Sequence, residues 1–187
     1  AMAEWQAAAS DSRGGSVEPS LKASLADMGL SFTQDEWILV RQAFYSPIKQ
    51  AASPRQGARQ TLQTLNDWGL TVGILSNTYW SPEFHDADLE RFDLLDLLSI
   101  RLYSSETNRL KPHPEAFAMA LNALGVTANE AVYVGDRLVT DVEPAREIGL
   151  WGVLIQVPFR DERSKKIMPD ATITELPELI ALLERRR

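Results

Sequence analysis

The sequence has no cysteine in its 187 residues. Disulfides, thiolate catalysis and cysteine zinc sites are therefore excluded. It also lacks any apolar run near the ~18 residues needed to span a membrane. Positive charge is not in excess: the net charge is −7 and the isoelectric point about 4.9. That balance argues against nucleic acid as a partner, which calls for a basic patch. The one basic cluster, Arg185-Arg186-Arg187, reads as a solvated helix end whose cations suit the helix dipole. Ala1 to Gly15 has no apolar core of the secretory kind. A soluble cytoplasmic protein is the expectation.

Hydrophobic residues make up 44% of the chain, enough for one sizeable core. Four apolar helical stripes stop at a glycine followed by an apolar residue: Gly29-Leu30, Gly69-Leu70, Gly125-Val126 and Gly149-Leu150. Glycine accepts the left-handed backbone of a helix C-terminus, and the next apolar residue packs back on the last turn. Thr33-Gln34-Asp35-Glu36 reads as a capping box opening a helix with Trp37, Val40 and Phe44 aligned. Leu21, Leu25 and Met28 share a face of the helix before it. Pro54 and Pro114 are expected to start two further helices, and Leu176, Leu179, Ile180 and Leu183 to line a last one. Short apolar strands are expected at Thr71–Leu75, Ser99–Tyr103, Ala131–Val134 and Gly152–Val157, with an edge strand at Ala171–Thr174. Their alternation with helices predicts an α/β fold with a parallel sheet covered on both faces. Residues 1–19, rich in Ala, Ser and Gly, read as mostly flexible.

Three constellations follow strands, where open α/β sheets bind ligands. Ser76-Asn77-Thr78 offers hydroxyls and backbone N–H groups to an anion. Taken alone it reads as a polar turn. Lys111, in Lys111-Pro112-His113-Pro114, can act as a point charge beside a helix start. Taken alone it reads as a surface lysine. Val132-Tyr133-Val134-Gly135-Asp136, with Asp141 five residues on, puts two carboxylates after a buried strand, a donor type suited to Mg²⁺. The alternative is that both aspartates cap local turns. His85 and His113 are given no catalytic role. Tyr79 and Trp80 either face the pocket or pack beneath neighbouring helices.

Together, Ser76, Lys111 and Asp136, in that order and each after its own strand, resemble the haloacid dehalogenase-like superfamily in its phosphatase branch. The resemblance covers Pro54 to Arg187. Ser76 matches the second motif, Lys111-Pro112-His113-Pro114-Glu115-Ala116-Phe117 the third, and Gly135-Asp136-Arg137-Leu138-Val139-Thr140-Asp141 the fourth. It implies a Rossmann-like three-layer sheet over residues 54–187, with residues 20–53 as the remnant of a helical cap. It further implies that Ser76, Asn77 and Lys111 bind a small phosphorylated molecule or phosphate-like anion. Ser76 and Lys111 would serve catalysis, with Asp136 on Mg²⁺ and Asp141 a second or water-mediated ligand. The acidic pair favours phosphoryl transfer over metal-free dehalogenation.

The family's first motif, an apolar strand followed by Asp-x-Asp-x-Thr, has no match in this sequence. It carries the attacking aspartate and the sheet's central strand. Asp11 is the nearest substitute, but Arg13 stands where the second acid belongs, and Ala3 to Ala9 is composed for a helix. Mg²⁺ binding is then expected to be weak. The gap in the sheet would be covered by the N-terminal segment or a partner chain, and its open edges leave room for a homodimer. Three readings follow: a phosphatase domain with little or no turnover, an enzyme whose nucleophile comes from a rearranged N-terminus or a partner, and a non-catalytic anion-binding scaffold.

Overall fold

A computed structural model describes residues 15–107, 109–158 and 168–186. Its helices are α1 (Glu18–Asp27), α2 (Gln34–Ala51), α3 (Ala58–Asp67), α4 (Pro82–Arg91), α5 (Ser104–Thr107), α6 (Pro114–Leu124), α7 (Glu143–Glu147) and α8 (Glu178–Glu184). The strands are β1 (Gly73–Ser76), β2 (Ile100–Tyr103), β3 (Val132–Gly135), β4 (Trp151–Ile155) and β5 (Ala171–Ile173).

All pairings are parallel, but the strands form two sheets, β1-β2 and β3-β4-β5. The strands β1 and β3 are not paired with each other among the described residues. The Tyr133 hydroxyl crosses from β3 toward β1, 3.5 Å from the Leu75 carbonyl oxygen.

Strand alternation sends side chains to two apolar clusters. On one face Val153, Ile155 and Ile173 meet Leu65 of α3 and Leu179 of α8, with Val72 and Val134 packed against them. On the other, Phe117 of α6 and Ala145 of α7 meet Leu150, with Leu75 and Tyr133 alongside. The second cluster draws on both sheets, through Leu75 of β1 and Tyr133 of β3, and Val72, just before β1, reaches the first, so side-chain packing joins what backbone pairing does not.

The four glycine stops take positive φ. In each case the following apolar residue donates its N–H to the carbonyl five residues back: Leu30 to Leu25, Leu70 to Leu65, Val126 to Leu121 and Leu150 to Ala145. Thr33 and Glu36 form the expected reciprocal cap on α2. Three expectations are corrected. The helix expected from Pro54 starts at Ala58, after a turn ending at Gly57. Glu18 and Pro19 belong to α1 rather than to a flexible stretch; Ser16 Oγ accepts from the Glu18 N–H, and Pro19 suits the first helical turn. The face that α2 buries is Trp37 and Tyr45, while Phe44 is 49% exposed. Tyr45 wins because its ring lies between Trp80 and Phe84 and its hydroxyl donates to Asp88 Oδ2 at 2.8 Å. Arg41, one turn from both, pairs with Glu18 at 2.7 Å and with Glu83.

Candidate functional site

The carboxyl ends of β1, β2 and β3 bring the three constellations together. Lys111 Nζ lies 2.7 Å from Asp141 Oδ1, with side-chain exposures of 11% and 5%. It also donates to the Tyr133 hydroxyl at 2.8 Å. An ammonium has three donors, so one remains for a ligand. Asp141 is fixed in turn: its Oδ2 accepts the Arg137 N–H at 3.1 Å. Its turn folds so closely onto β3 that a Cβ on Gly135 would sit 2.3 Å from Asp141 Cβ. Glycine at position 135, at the end of β3, is therefore a packing requirement of Asp141.

Asn77 ties the first loop to the second. Its Nδ2 donates to the Lys111 carbonyl at 2.8 Å, and its Oδ1 accepts the Lys111 N–H at 2.8 Å. The amide pairs with the Lys111 backbone as a neighbouring strand would, and one N–H remains for an anion. Ser76, the last residue of β1, is half-buried, and its hydroxyl makes no hydrogen bond with the described residues. Asp136, also half-buried, follows β3 closely enough to act on Tyr133. Burial first, then the charges of Asp141 and Asp136, push the Tyr133 phenol well above its usual range. It stays neutral and can accept from Lys111.

Asp141 fits Mg²⁺ poorly. Asp141 is engaged on both oxygens, by Lys111 and by the Arg137 N–H. No group of three His, Cys, Asp or Glu side chains suited to a metal occurs among the described residues. Asp11 lies outside the described residues. His113 accepts the Glu115 N–H at the start of α6, a capping role. Tyr79 is 58% exposed, and Trp80 packs edge-on against Tyr45 and Phe84. A cavity of about 560 Å³ lies between α1–α2 and the core, lined by Glu18, Lys22, Trp37, Glu83 and Glu106 among others. Neither Ser76 nor Lys111 lines it, so it is not counted as the site.

Sequence reasoning assigned no role to Tyr133 or Ser104, although both meet the site loops. Tyr133 carried one usable signal, a polar tip two residues before the strand ends. Ser104 carried none.

Residues 15–155 match the haloacid dehalogenase-like hydrolases. The chain belongs to that family. Among its members, the glyceraldehyde 3-phosphate phosphatase of Pyrococcus furiosus is 35% identical over 131 residues, 69% of this chain and 54% of that one. The ribulose-1,5-bisphosphate 5-phosphatase of Halopiger xanaduensis is 35% identical over 148 residues, 75% of this chain and 61% of that one. The chain thus spans little more than half the length of these two relatives. The crystal structure of a phosphatase of the family from Thermococcus onnurineus superposes with a TM-score of 0.65 at 28% identity, covering 85% of this chain and 68% of that one. The α/β Rossmann-like architecture is that of the family. No helix among the described residues is long and apolar enough to cross a membrane.

Proposed function

We propose that this chain carries the phosphoryl-binding half of a phosphatase site, binding a small phosphorylated molecule with little turnover of its own. The Lys111 ammonium carries the reading. Asp141 and Tyr133 hold it at the sheet edge, and its third donor is open. A phosphoryl oxygen placed there takes that donor together with the free hydroxyl of Ser76 and the remaining N–H of Asn77. Three donors converging on one anion resemble the preorganised stabilisation that phosphoryl transfer needs. The phosphatase relatives support the ligand class without naming the substrate. Residues 20–53, containing most of α1 and all of α2, act as the remnant cap over the core of residues 54–187.

Turnover needs a nucleophile, and Asp136 and Asp141 do not supply one here. Asp141 is spent on Lys111, and Asp136 is read as the Mg²⁺-facing group. Mg²⁺ binding is expected to be weak, because this ion wants several oxygens at short range and both carboxylate oxygens of Asp141 are already engaged. No catalytic step is assigned to it. Hydrolysis of an aryl phosphate with and without Mg²⁺, beside Lys111→Ala, tests the reading. No turnover above the control, together with phosphate binding that the control lacks, is the expected result. Mg²⁺-dependent turnover lost in Lys111→Ala would mean that the site is complete, with a nucleophile from the N-terminal segment or a partner.

A further inference from the structure

The first site loop is held from behind by a side chain that does not reach the ligand edge. The β1-β2 ladder ends at the pair Ser76 and Tyr103. The next residue of the second strand, Ser104, opens α5, so its backbone turns away from the ladder. Its hydroxyl takes over. Ser104 Oγ accepts the Thr78 N–H at 2.9 Å and donates to the Thr78 carbonyl at 2.9 Å. Ser104 is 1% exposed and Thr78 9%, so water has little access to replace either bond. On its other side Thr78 Oγ1 accepts the Trp80 N–H at 3.1 Å and lies 2.7 Å from His85 Nε2. Residue 78 is thus held at its nitrogen, its carbonyl and its hydroxyl. Only Asn77 separates it from Ser76, and Asn77 in turn grips Lys111.

We infer that Ser104 is a positioning residue of the anion site: through Thr78 it sets where the Ser76 hydroxyl and the Asn77–Lys111 clamp stand. The inference rests on the phosphate-binding reading above. Without the hydroxyl, the Thr78 N–H and carbonyl are both left buried and unpaired, and the loop shifts to reach water. The clamp shifts with it. The effect is on anion affinity, because Ser104 lies behind the loop and touches no ligand.

The test is a titration with inorganic phosphate of the full chain, Ser104→Ala and the hydroxyl-retaining Ser104→Thr, read on the Asn77 side-chain amide by NMR. Ser104→Ala is expected to weaken phosphate by about tenfold and to move the Asn77 amide signal before any phosphate is added. Ser104→Thr is expected to recover most of both. Equal affinity and an unmoved amide signal in Ser104→Ala would overturn the inference while leaving the site reading intact. No phosphate binding by the unsubstituted chain would remove the site reading, and the inference with it. Should Ser104→Ala fail to fold, amide exchange in the unsubstituted chain decides. A Thr78 amide as slow as that of Leu75 supports the hold, and one as fast as that of exposed Tyr79 contradicts it.

Discussion

The two sheets are held together by different forces. The β3-β4-β5 side is apolar: Val153 is 0% exposed, Ile173 1% and Ile155 5%, all in one cluster with α3 and α8. Near the β1-β2 side the fixings are polar and directional. Ser104 holds Thr78, Asn77 holds Lys111, and Asp86 takes both the Arg101 guanidinium and the Tyr103 hydroxyl. Apolar burial is strong but indifferent to angle, so it stabilises without aiming anything. Hydrogen bonds contribute less each but set positions. The division implies that one side supplies most of the stability and the other places the groups of the proposed anion site.

The largest expected effect comes where the two sides touch. Lys111→Met strands the buried Asp141 carboxylate and is expected to cost about 3–5 kcal/mol. Adding Asp141→Leu should return much of that stability, measured by urea unfolding, but not the phosphate binding. Ile173→Ala, in the apolar side, is expected to cost about 3 kcal/mol through cavity formation. Phosphate affinity of its folded fraction should be unchanged; a large loss of affinity would show that the two sides are not separable in this way. Asn77→Ala reverses the pattern, with about 1 kcal/mol of stability lost and a clear loss of phosphate affinity, since an exposed side chain gives up two backbone bonds.

The smallest effect is a pH dependence. Burial holds the His85 imidazole below its usual value of 6.5, against the opposing pull of Asp88 and Asp86. The neutral ring is therefore the form that the folded state favours. Its contribution to stability is complete above about pH 6.5 and is lost as the pH falls from there toward the lowered value. Melting temperatures at pH 7.5 and 5.5 should differ more for the unsubstituted chain than for His85→Gln. Equal differences would mean that the ring is not held in this way.

Local features were legible in the sequence because their causes are local. The Gly-apolar stops, the Thr33 cap and the Pro114 start each depend on residues within one turn, and each formed. Pro54 misled because proline fits a turn as well as a first helical position. The buried face of α2 misled because Trp37, Val40 and Phe44 and Trp37, Arg41 and Tyr45 are equally periodic. Only the aromatic pocket made by Trp80 and Phe84 decides between them. The order of Ser76, Lys111 and Asp136, each after its own strand, was legible in the sequence, and the structure links their loops through Asn77–Lys111 and Lys111–Asp141. What holds them was not. Ser104 meets Thr78 across 26 residues and Asn77 meets Lys111 across 34, separations that no local pattern reports.

The most direct test of the central claim is calorimetric titration of inorganic phosphate into the unsubstituted chain and into Ser76→Ala. Ser76 is the cleanest probe, because its hydroxyl has no partner among the described residues and its loss should leave the melting temperature unchanged. Saturable binding that weakens several-fold in Ser76→Ala at constant stability is the predicted result. Binding of equal strength in both, or none in the unsubstituted chain, would contradict a phosphoryl group held at this sheet edge.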